Sequence, residues 1–131
     1  MITFRFARLV RGKIPEFYRS LGNTVVSKKL SGRELREALI QKLHEEVDDA
    51  LRATDRAKMI SEIADIQEIV KDVCELENIS SQEIQESIDS KVANKGKFSD
   101  GQYIDTVTFL DENSQWAQYC QQSPDKYEEI K

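Results

Sequence analysis

Two long amphipathic patterns separated by only three residues constrain this 131-residue chain more than any other feature. Ser31-Gly32-Arg33-Glu34 has the spacing of a capping box, in which the serine and the glutamate satisfy each other's free backbone donors. It predicts a helix from there to about Ala53. Asp55 is placed to cap a second helix that runs to about Glu77. The break Ala53-Thr54-Asp55 is too short for anything but an antiparallel return, so a helix hairpin is expected at the centre of the fold.

The flanking segments are shorter. Pro15 in Ile14-Pro15-Glu16 pre-sets φ for a helix start, and Gly22-Asn23 is a natural stop. Ser80-Ser81-Gln82-Glu83 repeats the capping-box spacing and opens a helix to about Asn94, which Gly96 ends. Thr24–Ser27 and Gln102–Phe109 are rich in β-branched residues and are expected to pair as a minor β-hairpin or to remain short extended pieces. Residues 112–122 read as a short helix, and Pro124 begins a tail. No linker or repeat divides the chain. The expected fold class is all-α, in a single domain spanning 1–131.

Composition narrows the classes. Charged residues are 33% and hydrophobic ones 39%, ordinary for a folded globular chain. No run approaches the roughly 18 apolar residues of a membrane span. The opening MITFRFARLVRGK has frequent arginines and no apolar h-region, which argues against a secretory signal. Two cysteines, Cys74 and Cys120, fit a reducing cytoplasm and no disulfide scaffold.

Charge is divided along the chain. Residues 1–29 carry net +6 and the remainder −11, within a total of −5. A basic arm on an acidic body allows a nucleic-acid tail, a docking arm or two halves of one site. The arm interleaves its cations with Phe4, Phe6, Leu9, Val10, Ile14 and Phe17, which predicts that it packs. Nucleic acid is disfavoured, because the acidic body repels phosphate.

The acidic residues are informative where they break the apolar pattern. Leu35, Leu39, Leu43, Val47 and Ala50 define the stripe of the first long helix. Glu46 lies within its arc, Asp49 at its edge and Glu45 just beyond. On the second long helix Ile63, Ile66, Ile69, Val70 and Val73 form the stripe; Glu62 lies near its middle and Asp65 at its margin. An ionised carboxylate on an apolar face is costly unless paired or metal-bound. An antiparallel hairpin can set Glu46 and Asp49 opposite Glu62 and Asp65. This all-oxygen set suits Mg²⁺, with Mn²⁺ as the alternative. The competing reading is a Lys or Arg buried against Glu62; Lys58 and Arg52 are available, but nearer the turn than the centre. A di-iron bundle is disfavoured, since it needs two Glu-x-x-His pairs and His44 is the only histidine.

Glu45-Glu46-Val47-Asp48-Asp49 followed by Glu62-Ile63-Ala64-Asp65 resembles the EExxE…ExxD signature of the all-α nucleoside triphosphate pyrophosphatases, the MazG-like group. Arg8-Leu9-Val10-Arg11-Gly12-Lys13-Ile14-Pro15-Glu16 is similar to the KLVRDKIPE opening of its house-cleaning branch. Lys91-Val92-Ala93-Asn94-Lys95-Gly96-Lys97-Phe98 resembles the KxxxRGGF segment that follows the last core helix. The resemblance implies an Mg²⁺-dependent hydrolase that converts a nucleoside triphosphate and water to the monophosphate and pyrophosphate, on non-standard or deoxy nucleotides. It implies metal ligands Glu46, Asp49, Glu62 and Asp65, with Glu45 as a further ligand or water-orienting group. Glu45, Glu46 and Glu62 are then the catalytic carboxylates. Arg8, Arg11, Lys13, Lys91 and Lys95 are the candidates for gripping phosphate. It further implies that two hairpins pair into a four-helix bundle, as a homodimer or higher homo-oligomer.

Three positions depart from the family pattern. Gly12 replaces an aspartate, Asp49 the last glutamate of EExxE, and Lys97 the second glycine of GGF. They motivate an alternative function: a helical binding or regulatory module that keeps the fold without the catalysis. Trp116, Tyr119 and Tyr127 are expected to dock on the body or on a partner chain, and Cys74 is expected to be a small core residue.

Overall fold

Each long amphipathic pattern folds as one uninterrupted helix. The computed structural model describes every residue, Met1–Lys131. In chain order the helices are α1 (Ile14–Ser20), α2 (Gly32–Leu51), α3 (Arg56–Leu76), α4 (Ser81–Lys95) and α5 (Gln115–Gln121), with one 3-10 turn at Phe98–Asp100. The fold is all-helical. The chain divides into two compact units, Met1–Lys91 and Val92–Lys131.

The local signals act with unequal force. Asp55 caps α3 by accepting from the Lys58 backbone N–H at 2.8 Å. At the start of α4 the capping box is complete: the Ser80 N–H donates to Glu83 Oε2 at 2.8 Å, and the Glu83 N–H donates to Ser80 Oγ at 3.1 Å. Gly96 takes φ +84° immediately after α4, the left-handed conformation that glycine supplies at helix ends. Ser31 differs from expectation: its backbone is extended, but its side chain makes no capping bond. Glu34, its expected box partner, instead faces Lys28 at 3.6 Å.

Of the two expectations for Thr24–Ser27 and Gln102–Phe109, the β-hairpin does not form: the chain contains no strand, and both segments lie outside the helices. In the first segment, the Arg19 guanidinium donates to the Val25 carbonyl (3.3 Å) and to Ser27 Oγ (3.1 Å), taking an acceptor a ladder would need. Residues 102–109 are exposed throughout. β-branched composition favours a strand only where there is a surface to pack on.

Within the first unit α2 and α3 pack together. They are antiparallel: Arg36 near the start of α2 pairs with Glu77 just past the end of α3 at 2.7 Å. Leu39 and Ile69 are buried between them, flanked by the half-buried Leu35, Leu43, Ile66 and Val73. The arm folds on itself, with Phe6 edge-on to Tyr18 of α1 at 5.9 Å, and is tied to the hairpin by Arg8 on Glu45 and Arg11 on Asp65.

The hairpin has two unlike faces. At about 100° per residue, Ile40, Val47 and Leu51 lie on one side of the Leu39 line, and Lys42, Glu45 and Asp49 on the other. On α3, Met59, Ile63 and Val70 lie on one side of the Ile69 line, and Asp65, Glu68 and Asp72 on the other. Arg8 and Arg11 reach the acidic sides of both helices, so the acidic sides share one face and the apolar sides share the opposite one. That apolar face is uncovered: Val47 is 50% exposed and Leu51 85%. In the second unit Ala117 of α5 is buried, and Tyr119 and Tyr127 meet at 5.9 Å while Trp116 stays exposed. No helix is long and apolar enough to cross a membrane.

Candidate metal centre

The seam of the hairpin carries the two carboxylates that the apolar stripes enclose. Glu46 on α2 is 8% exposed and Glu62 on α3 is 3% exposed. Asp49, one turn after Glu46, is more open to solvent. Carboxylate oxygens of Glu46, Asp49 and Glu62 lie within 4.8 Å of one another. The antiparallel return therefore brings together three of the four expected ligands. Asp65 stands at the margin and is engaged elsewhere: Arg11 Nη2 donates to its Oδ1 at 2.6 Å.

Each carboxylate but Asp49 has an internal cation. Lys58 Nζ lies 2.6 Å from Glu62 Oε1. Lys42 Nζ lies 2.7 Å from Glu45 Oε2 and 3.8 Å from Glu46 Oε1. Arg8 Nη1 reaches Glu45 Oε1 at 3.2 Å, and Arg11 also holds Glu68 at 2.8 Å. Lys58 is one of the two cations the competing sequence reading named for Glu62, and its place nearer the turn does not keep it away. One helical turn separates positions 58 and 62, within reach of a lysine side chain. The signal was present twice, because Lys42-x-x-x-Glu46 and Lys58-x-x-x-Glu62 repeat the same spacing on facing helices.

Lys58 does not exhaust Glu62. Its second oxygen, Oε2, is buried without a hydrogen-bond partner. A buried acceptor left unpaired is costly, so something must donate to it or coordinate it. Burial raises the Glu46 carboxyl to about 7, and hydrogen bonding to Glu62 and the nearby negative charge of Asp65 and Glu62 add to the effect. Glu62 is lowered from the usual carboxylate range by the hydrogen bond from Lys58 and then by that from Glu46. The pair thus shares one proton, as close carboxylates do.

This has a measurable consequence. Because the folded Glu46 binds its proton more tightly than the unfolded one, stability contributed there is present below pH 4.5 and is lost as pH rises through about 7. The Glu62 contribution has the opposite sign and is lost as pH falls below the usual carboxylate range. Metal-free thermal melts between pH 5 and pH 8 should show the decline. Saturating Mg²⁺ should abolish it, since a cation replaces the proton.

The remaining expected site residues fall into two groups. Arg8 and Arg11 come to the acidic face, one of the three arrangements that the divided charge allowed. Lys13 precedes α1, Lys91 and Lys95 lie on α4, and all three are exposed; Lys95 belongs to the second unit. The departures Gly12 and Lys97 cause no backbone conflict. A Cβ at Gly12 meets nothing within 4 Å, and Lys97 is in an ordinary extended conformation, φ −104° and ψ 149°. Glu68 and Lys42 were not singled out by the sequence, and Arg11's fork onto Glu68 is what gives that residue a role. In comparisons with known proteins, no family model, no curated protein and no solved structure matches the chain.

Proposed function

We propose that the chain is an Mg²⁺-dependent nucleoside triphosphate pyrophosphohydrolase, releasing a nucleoside monophosphate and pyrophosphate. The observation that carries this reading is the convergence of Glu46, Asp49 and Glu62 around the buried, unpartnered Glu62 Oε2. An acceptor-only set of this kind suits a hard divalent cation, Mg²⁺ or Mn²⁺. Glu46, Asp49 and Glu62 would hold it, and Asp65 could join once Arg11 is drawn away.

Magnesium, when bound, supplies charge neutralisation for the triphosphate and lowers the pKa of a bound water. The chain's own residues do the positioning that phosphoryl transfer mainly requires. Arg11 holds Glu68 in a bidentate fork at the edge of the acidic face and can exchange those carboxylate oxygens for phosphate oxygens, with the Arg8 guanidinium close by. Glu45, held by Arg8 and Lys42, is placed to orient a water or to accept its proton. Lys58 is 56% exposed along its side chain and can swing to solvent as a cation takes its place.

The uncovered apolar face supports a second part of the proposal, a homodimer. Ile40, Val47 and Leu51 of α2 and Met59, Ile63 and Val70 of α3 present a two-helix surface. A second hairpin covers such a surface by forming a four-helix bundle.

The alternative of a catalytically silent binding module draws on the lysine and arginine pairs, which neutralise the acidic set without a metal. Pyrophosphate release from a panel of ribo- and deoxyribonucleoside triphosphates separates the two. The hydrolase reading expects release with Mg²⁺ and none with a chelator; a silent module gives none in either.

A further inference from the structure

The arm and the outer surface of α2 border a half-open cleft of about 540 Å³, in the size range of small-molecule sites. Its roof is a bend in the arm. Ala7 turns through a left-handed conformation, φ 46°, which a residue with a side chain rarely adopts. Arg8 fastens the bend at both ends, donating from Nε to the Phe6 carbonyl at 3.1 Å and from Nη1 to Glu45 at 3.2 Å. The floor is α2, from Ala38 to Asp48.

The chemistry changes in order around that helix. Glu46 and Asp49 face the metal seam. Lys42 lies between these two and Glu45 comes next; Lys42 belongs to both regions, since it lines the cleft and its Nζ lies 3.8 Å from Glu46. Gln41, His44 and Asp48 come last, on the far side from the metal, and all three are exposed. A path over a third of a helix of about 5 Å radius is roughly 10 Å long. A nucleotide has this same polarity, with charged phosphates at one end and a flat, hydrogen-bonding base at the other.

We infer that this cleft receives the nucleoside part of the substrate, and that Asp48 selects bases bearing an exocyclic amino group. The inference rests on the nucleotide reading of the metal centre and extends it to specificity. A carboxylate only accepts hydrogen bonds, so Asp48 pairs with the amine of cytosine or adenine and repels the carbonyl of uracil or hypoxanthine. His44, one turn before Asp48, offers a flat ring beside the base.

Calorimetry on the full chain with saturating Mg²⁺ tests this with nucleoside 5′-monophosphates. Cytidine and adenosine monophosphates should bind about tenfold tighter than uridine and inosine monophosphates. Asp48→Asn, whose amide both donates and accepts, should reduce that preference to about twofold or less. Ala38→Trp should fill the cleft and weaken all four nucleotides while Mg²⁺ binding stays unchanged. Equal binding of the four, a preference that survives Asp48→Asn, or no binding at all overturns the inference. Base-selective binding without hydrolysis of any triphosphate retains the cleft and removes the reaction; hydrolysis without base preference does the reverse.

Discussion

Replacing Glu62 by glutamine should lower Mg²⁺-dependent turnover by about a hundredfold or more, since loss of a ligand's supporting partner alone costs about ten- to a hundredfold. The same change should leave the metal-free protein folded, with a melting temperature within about 5 °C of the parent. Two features of the site produce this combination. Glu62 is one of two carboxylates at the seam, and its Oε2 has no partner in the metal-free chain. A glutamine keeps the size, and its amide can donate to Glu46, relieving the shared proton. The ion pair it removes, to Lys58, is half-exposed on the lysine side and screened by solvent. A neutral amide nonetheless gives a cation far less than a carboxylate does. A fall of more than about 10 °C in the metal-free variant would show instead that Glu62 serves a structural ion pair.

Val47→Glu and Ile63→Glu should each convert a dimer into a monomer and lower the melting temperature by more than about 10 °C. In the isolated chain both positions are about half exposed, so the substitution of a surface residue should change stability very little. The large expected effect arises only if a second copy covers the face, because each charge is then buried twice in a two-fold interface without a partner. Only Leu39 and Ile69 are buried hydrophobics in the first unit, which is a small core for a hairpin of this length. Sedimentation should give twice the 15.1 kDa chain mass for the parent and the chain mass for both variants. A monomeric parent, with variants of unchanged stability, would remove the dimer.

The sequence made the hairpin legible because its signals are local: apolar periodicity, the Asp55 cap and a break with room for nothing else. Glu46 and Glu62 were legible for the same reason, as interruptions of a stripe that otherwise excludes charge. The absence of a β-hairpin was not legible. Thr24–Ser27 and Gln102–Phe109 have the composition of strands, and whether such segments pair depends on distant surfaces, not on propensity. The partners of the carboxylates were only half visible. Lys58 was named as an available partner of Glu62, and Lys42 obeys the same helical spacing to Glu46 and could have been found. Arg11's fork onto Asp65 and Glu68 spans more than fifty positions and is created by where the arm crosses α3. Asp65 was placed with the metal ligands by its spacing from Glu62, and its engagement by Arg11 is a tertiary fact.

The most direct test of the account is ³¹P nuclear magnetic resonance of a nucleoside triphosphate incubated with the full chain and Mg²⁺. A nucleoside monophosphate resonance and a pyrophosphate resonance should grow together, and neither should appear with Glu62→Gln or a chelator. Nucleoside diphosphate with orthophosphate, or an unchanged triphosphate across a panel of bases, would contradict it.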